Sequence, residues 1–155
     1  MRLAAFTDYG LRVLMRLANA PDTSFTTAEI AAQFSIPYNH LAKVVQDLVR
    51  GGYVTTRRGA GGGMRLARPA ETITLGEVVR FLEQRYPVVE CFRRDGGACV
   101  LTPQCRLKAH IAVACEKFLQ SLEQTTVAEC AYPGPPPPPA RAAKSTKAAK
   151  AASRH

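Results

Sequence analysis

Three cysteines lie close together in the stretch ECFRRDGGACVLTPQCRLK, residues 90 to 108. Cys91, Cys99 and Cys105 have the spacing C-x7-C-x5-C, which lacks the paired C-x2-C knuckles of structural zinc sites. Iron-sulfur clusters are held by cysteine thiolates, usually about four, so three leave one position for another ligand. The spacing therefore favours a metal centre, with iron-sulfur ahead of zinc. Unligated thiols, or a pair that oxidises as a thiol switch, are the alternatives.

The residues around these cysteines suit a thiolate-bound group. Thr102 as an N-cap and Pro103 at the first helical position would place Cys105 near the free amides at a helix start, which favours its thiolate form. Cys115 and Cys130 fall on apolar helical positions, and we expect both to be buried. A fourth ligand can come from a small molecule or from a side chain, the candidates being Asp8, Glu90, Asp95 and His110.

Composition narrows the class of protein. The 155 residues, 46% of them hydrophobic, suffice for one domain with a core. No charged-then-apolar leader and no membrane-length apolar run occurs, so we expect a cytoplasmic protein without a membrane partner. The net charge of +9 suggests an anionic partner. Five of the 21 basic residues and none of the 12 acidic ones follow residue 132, so residues 1 to 132 carry 16 against 12, or +4.

Hydrophobic periodicity predicts a mainly α fold built on a winged helix-turn-helix in residues 1 to 70. Helices are predicted over residues 6 to 19, over 28 to 34, and from Pro37 to the glycine pair at 51 and 52. YVTTR, GAGGG and MRLA follow in turn and predict a two-stranded hairpin with a glycine-rich tip, the wing. Together these elements are typical of a DNA-binding module.

Residues 71 to 132 are predicted to hold the cysteine loop and a long dimerisation helix. A capping box is predicted at Thr74 with Glu77, before a helix over 75 to 84. A similar box, Thr26 with Glu29, is predicted at the start of the second helix in the first region. Apolar residues recur at heptad-like spacing on the long helix and predict a homodimer, the seam being Leu107, Ile111, Cys115, Phe118 and Leu122. Residues 133 to 155, a proline run followed by Ala/Lys repeats, are predicted to be a disordered basic tail.

The third helix and the wing carry the residues expected to contact double-stranded DNA. The major groove admits an α-helix, and a slim hairpin can reach the narrower minor groove. The candidates on the helix and the wing are Tyr38, Asn39, His40, Lys43, Arg58 and Arg65. The alternative is a solvated helix face on a scaffold protein that binds no DNA and uses its basic tail for partners. The sequence shows no Ser/His/Asp series, phosphate loop or carboxylate pair of the kind that would indicate an enzyme.

Four stretches of the sequence carry a resemblance to a known family, namely MRLAAFTDYGLRVLMRLA, RRGAGGGMRLARPA, ITLGEVVR and LTPQCRLK. Over residues 1 to about 130 the chain resembles the winged-helix regulators that include NsrR and IscR, and NsrR more closely. The resemblance implies a homodimeric transcriptional repressor of a partly palindromic promoter site, with one iron-sulfur cluster per subunit. It further implies that nitric oxide attacks the cluster, that the DNA is released, and that nitric oxide detoxification genes are then expressed.

The same resemblance implies roles for particular residues. Cys91, Cys99 and Cys105 match the three cysteine ligands, and Asp8, in FTDYG, matches a carboxylate supplied by the other subunit. Arg12, one turn after Asp8, would orient it. IscR-like regulators of iron-sulfur homeostasis, the alternative within the family, place a histidine where this chain has Lys108. The cluster is expected to be [4Fe-4S], with [2Fe-2S] as the alternative, and a zinc- or thiol-switched winged helix remains the rival outside the iron-sulfur class.

Overall fold

The computed structural model describes residues 2–59, 61–101 and 104–132. Within these ranges the chain forms five α-helices and one two-stranded antiparallel sheet. The helices are α1 (Ala5–Ala18), α2 (Thr27–Phe34), α3 (Tyr38–Arg50), α4 (Leu75–Glu83) and α5 (Arg106–Leu122), and the strands are β1 (Val54–Arg57) and β2 (Gly63–Leu66). The predicted winged helix-turn-helix is confirmed. The predicted tail, residues 133 to 155, lies outside the described residues.

The helix-turn-helix is set by local signals at the two ends of α2. The Thr26 hydroxyl accepts the Glu29 backbone N–H at 3.2 Å, and the Glu29 carboxylate accepts the Thr26 backbone N–H at 2.7 Å, so the predicted capping box is present. That second hydrogen bond lowers the pKa of Glu29 below its usual value. At the other end Ser35 has a φ of 54°, and Pro37 precedes the first turn of α3. The chain therefore reverses within three residues, Ser35 to Pro37.

The second predicted capping box forms only in part. The Thr74 hydroxyl accepts the backbone N–H of Glu77 at 3.2 Å and so caps α4 as expected. The carboxylate of Glu77, however, pairs with the guanidinium of Arg68 instead of returning to the cap. Arg68, a charged partner from the segment just after β2, outcompetes the neutral backbone amide, which local sequence spacing cannot reveal.

One hydrophobic core joins the helix-turn-helix to the second half of the chain. Its buried side chains come from α1, α2, α3 and both strands, and the same cluster includes Ile73, Val78, Leu82 and Val127. The backbone N–H of Val127 donates to the carbonyl of Ile73 at 2.8 Å, which fastens the segment after α5 to the start of α4. Residues 71 to 132 therefore pack on the predicted DNA-binding region, and the division at residue 70 stays a prediction about function.

Helix α5 packs closely on α4 but buries none of its side chains fully. A Cβ on Gly76 would lie 2.6 Å from the carbonyl oxygen of Leu119 and 2.7 Å from the backbone nitrogen of Glu123, so glycine is required for this approach. Arg80 adds ion pairs to Glu116 at 2.9 Å and to Glu123 at 3.0 Å. No helix in the described ranges combines the length and apolar character needed to cross a bilayer.

The start of α5 differs from the prediction. The helix begins at Arg106, and Cys105 occupies the N-cap position with extended backbone angles and no side-chain capping bond. Cys105 therefore precedes the helix instead of occupying its third position, and the prediction was wrong on this point. Thr102 and Pro103, the predicted cap and first helical residue, lie outside the described residues.

We predict that Gly76→Ala destabilises the protein by about 1–3 kcal/mol, because its methyl group meets backbone atoms that cannot move aside without separating α4 from α5. Gly10→Ala is the matched comparison, since the nearest atom to a Cβ there is the Leu82 Cδ1, at 2.5 Å, at the end of a side chain. Both positions are helical, Gly10 inside α1 and Gly76 second in α4, so helix propensity favours Ala over Gly at each. Urea denaturation of the two variants measures the difference, and equal stabilities would contradict the role given to Gly76.

Candidate nucleic-acid interface and metal centre

The first turns of α3 present a polar face to solvent. Leu41, Val44 and Leu48 bury the opposite face of the helix in the core. This amphipathic division leaves one whole side of the first two turns free for a partner. The exposed residues there include all four predicted helix contacts, Tyr38, Asn39, His40 and Lys43.

The wing places cationic side chains beside this helix-turn-helix unit. Strands β1 and β2 pair from Val54 opposite Leu66 to Arg57 opposite Gly63. Arg58 and Arg65 are both exposed, and the Arg65 Nε donates to the Ser24 hydroxyl at 2.6 Å, which steadies Arg65 against the body. The two predicted wing residues therefore keep their charges available to an anionic partner.

Arg57 is a cationic residue of this surface that the sequence reasoning did not single out. It lies at the end of β1 and, with Ser24 and Arg65, lines a polar groove of about 300 Å³ between the wing and the segment before α2. Its position in the alternating YVTTR strand and its positive charge were the available signals. What they could not show is that the segment around Ser24 meets the wing, through the backbone pairing of Phe25 with Met64.

The cysteine segment between α4 and α5 has little regular structure. Cys91 lies in a single 3-10 turn, Glu90–Phe92, Cys99 lies in the following loop, and Cys105 directly precedes α5. All three are free thiols and partly exposed. Cys115 and Cys130 are also free and partly exposed, so the expectation that they are buried was wrong for the single chain. Neither helix that carries them has a buried residue.

Hydrogen bonds within the loop occupy two of the candidate fourth ligands. The Glu90 carboxylate accepts the backbone N–H of Ala98 at 3.1 Å. The Asp95 carboxylate accepts the backbone N–H of Gly97 at 3.1 Å and pairs with Arg93 at 2.8 Å. The hydrogen bond from the Arg93 guanidinium holds the pKa of Asp95 below its usual range. Both carboxylates therefore stabilise the loop as it stands.

Asp8 and Arg12 form the contact expected of residues one helical turn apart. The Arg12 Nε donates to one carboxylate oxygen of Asp8 at 3.2 Å, and Nη2 lies 2.8 Å from the other. Both side chains are about half exposed, at 46% and 44% respectively. The carboxylate thus stands on an accessible part of α1 with a defined orientation. His110, the remaining side-chain candidate, is exposed on α5.

The donor types fit a thiolate-bound iron-sulfur cluster, but the chain does not bring them together. In the part of the chain that the structure describes, no three His, Cys, Asp or Glu side chains converge as a group able to hold a metal ion. Free, partly exposed thiols on a segment with little regular structure are suitable in kind for metal ligation. An assembled site therefore requires Cys91, Cys99 and Cys105 to converge from their present positions.

The matching family model and two related sequences are all of transcriptional regulators. A family model described as "Iron-dependent Transcriptional regulator", Rrf2, matches residues 3–132. The chain is 42% identical over 130 residues to the HTH-type transcriptional regulator NsrR of Shouchella clausii (strain KSM-K16), covering 83% of this chain and 87% of that protein. It is 47% identical over 131 residues to the regulator of the same name from Geobacillus kaustophilus (strain HTA426), covering 83% and 88%.

Solved structures show the same fold at lower identity. CymR (YrzC), the global cysteine regulator of B. subtilis, superposes with a TM-score of 0.66 at 24% identity, covering 84% of this chain and 96% of that one. IscR of T. potens superposes with a TM-score of 0.65 at 21% identity, covering 83% and 85%.

We predict that Lys43→Ala weakens binding to a duplex selected from random sequence by about tenfold, within the ~1–3 kcal/mol of a good base contact. If Lys43 contacts a phosphate, the slope of log affinity against log salt also falls by about one. Lys117→Ala is the matched control, because Lys117 is also exposed but lies on α5. Fluorescence anisotropy titrations measure both, and equal losses in the two variants would remove Lys43 from the interface.

Proposed function

Because the chain belongs to the Rrf2 family of iron-dependent transcriptional regulators, we propose that it represses transcription as a DNA-bound homodimer and responds to nitric oxide through an iron-sulfur cluster. The family match confirms the predicted resemblance, and it confirms a DNA-binding transcriptional regulator that is not an enzyme. The site residues, the dimer, the signal and the type of cluster are parts of the proposal.

The observation that carries the DNA-binding proposal is the exposed polar face at the start of α3 beside a basic wing. Tyr38, Asn39, His40 and Lys43 are exposed together, while Leu41, Val44 and Leu48 anchor the opposite face of α3 in the core. In this arrangement the helix enters the major groove and Arg58 and Arg65 reach the flanking backbone or minor groove. Two copies related by a two-fold axis would read two half-sites, which matches a partly palindromic promoter.

The exposed apolar residues of α5 support a homodimer. Leu107, the first residue of the predicted seam, is 63% exposed, and Val113, which lies outside the seam, is 55% exposed, although α5 also packs on α4. The predicted seam is thus left partly open in the single chain. A second copy that packs along the same helix would bury it, and a self-complementary surface is what a two-fold interface needs.

For the cluster, we assign the thiolates of Cys91, Cys99 and Cys105 as ligands within the chain and the carboxylate of Asp8 as the ligand from the partner subunit. When bound, the cluster supplies iron that reacts with nitric oxide. Asp8 is a harder, weaker ligand than a thiolate, and [4Fe-4S] is favoured over [2Fe-2S]. Arg12 orients the Asp8 carboxylate through its two contacts with the oxygens.

The position of Asp8 on α1 explains how the ligand would affect DNA binding. α1 crosses α3, and a Cβ on Gly10 would lie 3.6 Å from Val44 and 3.9 Å from Leu48, both on the buried face of α3. A bond between Asp8 and the partner subunit would fix α1, and with it α3, the proposed recognition helix, relative to the same helix of the partner subunit. Loss of that bond would leave the distance between the two copies of α3 unfixed. That distance must match the spacing of the two half-sites on the DNA.

A thiol or zinc switch is the second candidate, favoured by the finding that the cysteines are free and partly exposed. The deciding experiment is purification without oxygen, followed by visible absorption and by iron and sulfide analysis before and after nitric oxide. A brown protein with iron and sulfide in equal amounts, bleached by nitric oxide, is the expected result. A colourless protein that contains zinc, or one whose DNA affinity follows thiol reagents, would replace the iron-sulfur proposal.

We predict that Cys91→Ala, Cys99→Ala and Cys105→Ala each abolish retention of the cluster, because two remaining thiolates cannot hold it. Cys130→Ala is the control, since Cys130 is also a partly exposed free thiol but lies outside the segment. Iron and sulfide content of the anaerobically purified variants is the measurement. Full cluster content in all three segment variants would overturn the ligand assignment.

We predict that Asp8→Ala keeps a cluster but loses most of the release of DNA by nitric oxide, because the link to the partner subunit is gone while the thiolates remain. Asp22→Ala serves as the control, being another exposed carboxylate that lies before α2. Anisotropy of labelled DNA is recorded for each variant before and after nitric oxide. Normal release by Asp8→Ala would show that this carboxylate does not transmit the signal.

A further inference from the structure

Asp47, near the end of α3, is the one charged side chain that is buried in the part of the chain that the structure describes, with 8% exposure. Two arginines hold its carboxylate. The Arg50 Nη2 lies 2.9 Å from one oxygen and belongs to α3 itself. The Arg85 Nη1 lies 2.9 Å from the other oxygen, and its Nη2 donates to the first at 3.3 Å. The recognition helix is thus tied by an ion pair to a residue outside the helix-turn-helix.

Arg85 belongs to the turn that leads from α4 into the cysteine segment. It follows the last residue of α4, Glu83, by two positions. Its neighbour Gln84 accepts a hydrogen bond from Arg94 at 3.3 Å, and Arg94 is three residues beyond Cys91. Arg85 and Phe92 also line one cleft of about 490 Å³. The turn is therefore in contact with the part of the segment that carries the first thiol.

The same turn contacts α1. The Glu83 carboxylate accepts the backbone N–H of Ala4, immediately before α1, at 2.8 Å. The rings of Phe6 and Tyr86 lie with their centroids 6.4 Å apart. Residues 83 to 86 thus touch the cysteine segment, the start of α1 and, through Arg85, the end of α3.

We propose that Arg85 is a positioning residue that couples the cysteine segment to the recognition helix within one subunit, through its ion pair with Asp47. A buried carboxylate is costly to leave incompletely paired, and Arg85 supplies two of the three arginine contacts to Asp47, so α3 and the turn that bears Arg85 tend to move as one unit. A change in the segment around Cys91 then alters the position of α3 without passing through the partner subunit. The inference rests on the proposed function, since it concerns how the state of the cluster reaches the DNA-binding surface.

The test uses the full-length dimer and compares DNA affinity in the cluster-bound and cluster-free forms. For Arg85→Gln, the ratio of the two affinities is expected to fall about threefold or more, the range of effects typical for residues along a coupling route. Arg85→Lys keeps the charge and is expected to restore part of the ratio. Arg50→Gln is the matched control, because it removes a contact to the same carboxylate from within α3 and is expected to leave the ratio unchanged.

The outcomes are distinct. A wild-type ratio above one together with an unchanged ratio in Arg85→Gln would overturn the role of Arg85 and leave the proposed function intact. Equal falls in Arg85→Gln and Arg50→Gln would show a merely structural role for the ion pair and would also overturn it. A wild-type protein whose DNA affinity is the same with and without cluster would overturn both. If Arg85→Gln does not fold by circular dichroism, the ratio in Arg85→Lys and in Asp47→Asn decides, and unchanged ratios in both would reject the coupling.

Discussion

The close crossing of α1 over α3 and α4 is the constraint on which the arrangement depends. Gly10 lies at this crossing and faces both helices: a Cβ there would lie 2.5 Å from the Leu82 Cδ1 of α4 and 3.6 Å from Val44 of α3. Because α1 contributes no side chain at this point, its backbone packs directly on side chains of α3 and of α4, the helix that leads into the cysteine segment. Asp8, two residues before Gly10, therefore lies on a helix that packs directly against α3.

Two kinds of polar contact extend from this packed centre to its edges. Hydrogen bonds between a side chain and a nearby backbone amide, such as the Thr26 cap, define where helices begin. Those between charged groups join elements that are distant in sequence, as Arg80 joins α4 to α5 and Arg85 joins the turn after α4 to Asp47. The exposed pairs among these contribute little to stability, because water and salt screen them. In the proposed coupling, the role of the Arg85–Asp47 pair is to keep α3 and the turn after α4 together.

The winged helix-turn-helix was predictable because its signals are local. The Thr26 box, the break at Gly51 and the glycine-rich tip of the wing each act within a few residues of the structure they define. Contacts between segments were not predictable in this way. The carboxylate of Glu77 chooses Arg68 over its own cap, and Asp47 is buried against Arg85, 38 residues away.

The candidate site likewise has a part that local sequence signals predict and a part that they do not. The polar residues at the start of α3 could be assigned from the sequence, because a buried stripe on a helix defines its opposite face, and the structure exposes them. The start of α5 was misplaced, since Cys105 adopts an extended backbone. The proposed convergence of the three thiols would depend on a bound group and on a loop of little regular structure. The spacing of the cysteines in the sequence does not predict the geometry of either.

The most direct measurement of the proposed repression is the affinity of the anaerobically purified protein for promoter DNA, by anisotropy, before and after stoichiometric nitric oxide. A tight complex that dissociates on addition of nitric oxide, while the cluster absorption bleaches in the same titration, is the predicted result. A complex that survives bleaching of the cluster, or a cluster-free chain that binds the same DNA equally tightly, would contradict it.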